Sequence, residues 1–477
     1  MLSLLVIVPA ILGVLALYSK DLRIDLALLV GTAIAHLLVT ACLWTGESGP
    51  ELDSLLKLDV PGLLFLSITS VIFLSAALYT IPYIVHGTHD KPAALQRFVP
   101  CLLWFLSAMT LVAVTQHLAL MWAAVEGTTL ASAPLVYFYR RRGALEATWK
   151  YLLVCSVGIA LALLGTFFVG IAAAGSSVGA SDLTLSGLSR AAPFMARPWL
   201  KAAFVLALVG YSTKMGLAPL HTWLPDTHSE APSPVSALLS GALLNCAFLA
   251  ILRFYQVCLA SGDSQFARTL LVVLGMASLL LASAFMVSQR DYKRLFAYSS
   301  IENMGIMAVG MGLGGAASYG ALLHAVNHSL CKAGLFFLAG NVLRSFGTTR
   351  ARDVSGVLVR LPGTGVLLLV LLLAIGGAPP FGPFWSEFLI FQSALGGAHA
   401  WLGVLFVSLL AVAFLGMAGV LLPMLSGGGS LRGPRSAESR LSILPPLALA
   451  SAALAIGLYL PPFLADALHR AAGMLGG

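Results

Sequence analysis

Charge is what this sequence has least of. Only 10% of its 477 residues are Asp, Glu, Lys or Arg, against about a quarter in a soluble domain, and 59% are hydrophobic. That balance excludes an ordinary water-soluble enzyme, and with it the rule of about one domain per 150 residues. Cysteine is also scarce. Cys42, Cys101, Cys155, Cys246, Cys258 and Cys331 all lie in or beside apolar runs, and no CxxC pair occurs. Iron–sulfur or zinc ligation is therefore not expected, and no disulfide is implied. A haem-attachment motif and a Walker-type GxxxxGK are both missing, so no cofactor and no catalytic centre is expected in this chain. Any redox centre would belong to a partner. No long soluble insert interrupts the sequence, and about a dozen residues follow the last apolar run.

What is present is hydrophobic length. Apolar runs of about 17 residues or more can span a bilayer, and fourteen occur: 2–18, 24–44, 62–85, 98–115, 117–138, 150–173, 200–230, 234–256, 268–288, 295–313, 318–342, 364–397, 401–425 and 441–464. Met1 opens directly onto the first, without a basic n-region or cleavage site. The net charge of +8 would suggest nucleic acid in a soluble protein; here it follows membrane orientation, and no nucleic-acid partner is expected. Eighteen of the 27 Lys and Arg residues fall in the odd-numbered loops and their helix ends, and six in the even-numbered loops and the C-terminus. By the positive-inside rule this places both termini outside. The Gly/Ser/Arg stretch SGGGSLRGPRSAESR reads as a mobile cytoplasmic connection.

Two runs cannot be straight helices. Pro219, Pro225, Pro232 and Pro234 crowd the stretch from Tyr211 to Asn245, and Pro379, Pro380 and Pro383 precede Glu387. Each proline removes a backbone donor and turns the preceding residue away from helical geometry. In hydrocarbon such breaks are tolerated only where protein or a water-lined cavity satisfies the backbone. The expected fold is thus an all-α polytopic membrane protein of about 14 transmembrane helices. Spans 4–8 and 9–13 form two inverted five-helix repeats, each with a broken helix, an arrangement in which breaks carry ion sites. The expected units are 1–97, 98–257, 268–425 and 441–477.

Ionisable residues inside these runs are costly to insert and mark ion paths. Lys214 sits at the first break, followed by His221, Asp226, His228 and Glu230. Glu126 is a lone carboxylate in the fifth span; desolvation keeps such a group protonated unless an ammonium adjoins it. The histidines can relay protons or simply bond the broken backbone. His324, His328 and Lys332, spaced i, i+4, i+8, share one helix stripe. A metal there lacks a third local ligand, so a proton relay is the better reading. Glu302 and Glu387 extend the series. Tyr292, Lys293 and Arg294 read most simply as topology anchors, and Glu146 with Lys150 as a helix-end salt bridge.

The motif KMGLAPLHTWLPDTHSEAPSPVSALLSG (214–241), with SSIENMG (299–305), HAVNHSLCKAG (324–334) and GGAPPFGPFWSEF (376–388), resembles one family over nearly the whole chain. This is the antiporter-like membrane subunits shared by respiratory complex I, membrane-bound hydrogenases of the formate-hydrogenlyase type and multi-subunit cation/proton antiporters. The last three motifs resemble the hydrogenase-associated members most. The resemblance implies a proton- or sodium-translocating subunit in the cell inner (plasma) membrane. Its partners would be other membrane subunits and a peripheral iron–sulfur/hydrogenase or quinone module. An antiporter subunit without redox partner is the alternative, and a passive membrane anchor fits the buried charges poorly. The resemblance also implies a Glu126–Lys214 pair, Lys332 between two half-paths and Glu387 at the outward end. Asn245 stands where members commonly carry a lysine, and Asn303 where they carry a histidine; neither can titrate, though an amide can hold a water.

Overall fold

The computed structural model describes residues 1–45, 55–85, 92–174, 182–397, 400–426 and 437–476. Arg432 and Arg435, and most of the Gly/Ser/Arg connection, lie outside them. Among the described residues the fold is all-helical, with only isolated β-bridges such as Leu56 with Thr115 and Asp291 with Arg350. Ten helices are long and apolar enough to cross a membrane by length and composition, and Leu2–Tyr18 and Pro362–Ile375 are shorter apolar helices.

The first break follows its prolines. Helix Arg197–Met215 stops at Gly216, which adopts φ +81, a left-handed conformation that glycine takes without a Cβ penalty. The chain re-enters helix at Leu224–Glu230 and again at Ser233–Leu238, each with proline in its first turn, where a missing N–H costs nothing. A π-helical turn, Leu239–Leu243, then leads into Leu244–Ala260. The second break repeats the plan. Pro362–Ile375 ends at Gly376, Gly377 takes φ +70, and Gly382–Gly396 restarts with proline in its first turn.

Small residues bring the helices close. A Cβ on Gly210 would lie 2.5 Å from the Gly158 carbonyl and 2.6 Å from the Ala162 nitrogen, so Arg142–Ala174 and Arg197–Met215 meet backbone to backbone, as membrane helices pack where lipid supplies no hydrophobic drive. Ser233–Ala260 and Ala316–Phe346 are buried along the whole of their most apolar windows, which makes them the centre of the bundle. The last apolar run is shorter than expected. Its helix, Arg440–Leu458, ends before Pro461, and a separate amphipathic helix, Pro462–Gly473, folds back over Ala316–Phe346 and Val60–Val85. Pro461 and Pro462 explain the interruption.

One buried ion pair ties the first spans to this centre. Arg253, fully buried, donates Nη2 to Asp59 Oδ1 at 2.7 Å and Nη1 to Asp59 Oδ2, and Asp59 also accepts from the Gly62 N–H at 2.9 Å. Removing one partner strands the other charge in a low dielectric, at a cost of about 3–5 kcal/mol, whereas replacing both by apolar residues can be nearly neutral. Asp59→Ala should therefore lower the thermal stability of the detergent-solubilised protein sharply, and Asp59→Leu combined with Arg253→Met should restore much of it. A thermal-shift series on the three proteins checks this.

Candidate functional site

Lys214 is the last-turn residue of the first half of the broken helix and is fully buried. Its Nζ donates to Thr129 Oγ1 at 2.9 Å and to the Tyr151 hydroxyl at 2.6 Å, and lies 4.5 Å from the Tyr151 ring centroid. Thr129 Oγ1 in turn donates to Glu126 Oε2 at 3.2 Å, and Ser156 Oγ to Glu126 Oε1 at 3.2 Å. Glu126 and Lys214 are thus brought together, but with the Thr129 hydroxyl between them instead of in a direct pair, and Glu126 is half-buried. Thr129 lies one turn beyond Glu126 on the Leu118–Val136 helix, so both face the same neighbour. Tyr151 continues the chain of hydroxyls to Ser132 at 2.7 Å.

Trp223 forms the next wall. Its ring packs 4.9 Å from Tyr151 and 6.2 Å from His228, and its Nε1 donates to the Thr213 carbonyl at 2.8 Å. His228 is fully buried, and its Nδ1 lies 3.0 Å from the Leu224 carbonyl. A carbonyl can only accept, so Nδ1 carries the hydrogen and Nε2 presents its lone pair; Nε2 has no protein partner among the described residues. His328 is the mirror case. Its Nε2 donates to the Ser240 carbonyl in the π turn at 3.2 Å, and Nδ1 is left bare. His221 sits within the break with Nδ1 unpartnered, and no hydrogen bond joins it to His228 among the described residues. Asn245 does not bridge Lys214 to these histidines: it donates to Ser329 Oγ at 2.6 Å and to the Gly241 carbonyl at 3.1 Å.

Lys332, also fully buried, donates among the described residues only to the Phe296 carbonyl, at 3.3 Å. One helix away Glu302 accepts from Ser299 Oγ at 3.2 Å, and Glu302 and Glu387 line one small cavity with Gly376, Phe414 and Met417. The Glu387 carboxyl lies against Gly377 in the second break, where a Cβ would overlap it, and the Asn327 amide lies likewise against Gly382. His324 bridges Ser386 Oγ at 2.9 Å and Asn303 Oδ1 at 3.0 Å; because Asn303 Nδ2 donates to the Ser299 carbonyl, Asn303 Oδ1 must accept, and His324 Nε2 carries a hydrogen. The stripe expected from spacing is real, but its three members have different partners: Ser386 and Asn303 for His324, Ser240 for His328, Phe296 for Lys332.

Three further groups were not evident from sequence. Thr129 and Tyr151 are 85 and 63 positions from Lys214, and no local pattern marks such a link. Lys293, expected as a topology anchor, is buried instead, and Arg294 pairs with Asp226 across the first break. The Glu146–Lys150 bridge is present at 2.6 Å, and Lys150 also reaches Asp226 at 3.0 Å. Glu146, Lys150, Asp226 and Arg294, with Glu230, Arg290, Asp291, Arg350 and Arg352, line a polar vestibule of about 780 Å³.

The Thr129 link yields a test. A hydrogen bond to a charged group contributes about 1.5–3 kcal/mol, so Thr129→Val should slow any ion movement through Glu126 and Lys214 by about tenfold or more, while Thr129→Ser, which keeps the hydroxyl, should stay near wild type. Proton uptake by membrane vesicles carrying each variant reads the difference.

Comparison with known proteins follows the same outline. Residues 115–414 match the family described as NADH:quinone oxidoreductase/Mrp antiporter, transmembrane. The chain is 38% identical over 424 residues to the hydrogenase-4 component F homolog of Methylacidiphilum infernorum, covering 86% of this chain and 88% of that protein. It is 32% identical over 343 residues to NADH-quinone oxidoreductase subunit N of Desulforudis audaxviator, covering 71% of this chain and 66% of that one. Among solved structures, a chain of the archaeal membrane-bound sulfane sulfur reductase superposes with a TM-score of 0.89 at 22% identity, covering 99% of this chain and 97% of the other. A chain of the Mrp complex from Dietzia sp. gives 0.85 at 19% identity, covering 100% and 99%.

Proposed function

The chain belongs to the NADH:quinone oxidoreductase/Mrp antiporter transmembrane family, and from that premise we propose that it is the proton-translocating membrane subunit of a redox-driven complex of the hydrogenase type. The observation that carries this reading is the state of its two central lysines. Both are fully buried, and among the described residues neither touches a carboxylate: Lys214 bonds two hydroxyls, and Lys332 a single carbonyl. Burial favours the neutral amine and a nearby carboxylate the ammonium. A lysine held between those two influences gains or loses a proton as its neighbours change charge, and an ion pair in contact would instead fix it.

The proposed path runs from Glu126 through Thr129 to Lys214, past His221 and His228 to His328 and Lys332, and then by Glu302 and His324 to Glu387. Asn245 and Asn303 serve in it as hydrogen-bonding supports. Protons move along it when the partner complex alters the charge at one end; electrons stay in the partner. Similarity over most of the chain to a hydrogenase-4 component supports that partner over an antiporter without redox chemistry. A peripheral iron–sulfur/hydrogenase module and neighbouring membrane subunits are the expected assembly, in the plasma membrane.

Fourteen crossings accommodate this path. To the ten long apolar helices we add Leu2–Tyr18, Tyr292–Leu313 and the two broken helices, Arg197–Met215 with Leu224–Glu230, and Pro362–Ile375 with Gly382–Gly396. The units 98–257 and 268–425 are then inverted five-helix repeats, flanked by 1–97 and 441–477, with both termini outside. Cysteine introduced at Asp182 should be labelled from the outer side and cysteine at Arg350 from the cytoplasmic side; labelling of position 182 only from the cytoplasm overturns the arrangement.

Lys332→Arg tests the mechanism. Arginine keeps the charge but does not release a proton at accessible pH. The variant should assemble and fail to take up protons in vesicles driven by the complex's own substrate. Wild-type uptake would remove Lys332 from the path. Glu126→Gln and Lys214→Met should each abolish uptake with assembly largely retained.

A further inference from the structure

A third ammonium is buried outside this path. Lys293, in the first turn of Tyr292–Leu313, is 1% exposed. It donates to the Ser229 carbonyl at 2.9 Å and the Ala231 carbonyl at 2.6 Å. Those carbonyls close the half-helix Leu224–Glu230, whose last C=O groups lack intrahelical donors and form the negative end of its dipole. A clamp on the broken helix accounts for two of the three N–H groups. The third has no acceptor among the described residues.

The surroundings give that third N–H a use. On one side of the 229–231 turn lies the 780 Å³ vestibule, with Asp226, Ser229 and Glu230 from the half-helix and Asp291 and Arg294 from the ends of Lys293's own helix in its wall. It is polar and far larger than a water needs. Next to Ser229 in sequence is His228, buried, with Nε2 lacking a partner among the described residues. Lys293 thus bonds the carbonyl of Ser229, a residue of the vestibule wall that directly follows the first imidazole of the interior. The charges facing this junction are mixed. Glu230, Asp291 and Arg294 line the vestibule, Arg294 pairs with Asp226, Lys150 pairs with both Glu146 and Asp226, and Lys332 belongs to the Ala316–Phe346 helix, whose Phe336 ring packs against His228.

We propose that Lys293 is the inlet of the proton path, a proton-carrying residue that loads His228 from the vestibule; this rests on the translocation reading above. In the loading step an N–H bond of the ammonium breaks and its proton passes, directly or through one water, to His228 Nε2, where a new N–H bond forms. Lys293 is left as a neutral amine and His228 as an imidazolium. The amine then takes a proton from vestibule water. Nothing is oxidised or reduced, and one proton enters for each one handed on.

The test uses vesicles containing the whole complex, with assembly followed on native gels and proton uptake recorded from pH 6 to 9. Lys293→Arg keeps the charge and the donors to Ser229 and Ala231 but does not release a proton. It should assemble and lose uptake about 100-fold; wild-type uptake would overturn the inlet and leave a clamp. If the arginine variant fails to assemble, Lys293→His decides. Uptake with an optimum displaced toward acid supports proton carriage, and an unshifted profile at full rate overturns it. Lys332→Arg measured alongside separates the two readings. Full uptake there removes the path itself, whereas loss there with full uptake in Lys293→Arg removes only the inlet.

Discussion

A buried cation must be answered by something, and the kind of answer divides the charged interior of this protein into two classes. Arg253 is answered by a carboxylate in bidentate contact, so its charge is fixed and its role is to hold helices together. Among the described residues, Lys214, Lys293 and Lys332 hydrogen-bond to hydroxyls and carbonyls alone. Dipoles stabilise an ammonium less than an ion pair does, and lysine, unlike arginine, can become neutral under that pressure. The division follows the chemistry of the side chains: arginine, which keeps its charge, where a carboxylate fixes it, and lysine, which can become neutral, where none is in contact among the described residues.

The broken helices make those answers available. Interrupting a membrane helix releases carbonyls and N–H groups that an unbroken one would satisfy internally. At the first break the freed carbonyls of Ser229 and Ala231 receive Lys293. At the π turn beyond it the Ser240 carbonyl receives His328, consistent with the placing of such turns at working positions. At the second break, glycine at positions 377 and 382 leaves room for Glu387 and Asn327 against the backbone. At the first break and the π turn the freed carbonyls are thus taken by an ionisable side chain from another helix, so the cost of the break and the cost of the buried polar group offset one another.

Much of this was legible in the sequence because proline, glycine and hydrophobic length act locally. The prolines of 219–234 and 379–383 located both breaks, and those at 225, 234 and 383 fall in the first turn of the restarting helices, where their lack of an N–H is harmless. The i, i+4, i+8 spacing placed His324, His328 and Lys332 on one stripe. What could not be read was which groups meet across helices. Thr129 between Glu126 and Lys214, the Asp59–Arg253 pair and the burial of Lys293 depend on contacts dozens to hundreds of positions apart, and serine, threonine and tyrosine in an apolar run carry no mark of their partner. Lys293 misled for a further reason. Beside Arg294 and Asp291 it has the composition of a solvated helix end, and only the returning half-helix covers it.

The two halves of the interior differ in how they hold charge. Around Lys214 the intervening groups are hydroxyls, Thr129, Tyr151 and Ser132, with the carboxylate at the half-buried margin. Around Lys332 the carboxylates Glu302 and Glu387 share a cavity, and the amides Asn303 and Asn327 lie nearby against His324 and Gly382. Between the halves, Trp223 and Phe336 flank His228, and the buried second nitrogens of His228 and His328 have no protein partner among the described residues. Buried polar atoms in that state are commonly satisfied by ordered water. Titrating residues at every position would lock into ion pairs with their neighbours. Hydroxyls and amides, which bond a lysine or histidine without titrating themselves, hold these groups clear of direct ion pairs among the described residues.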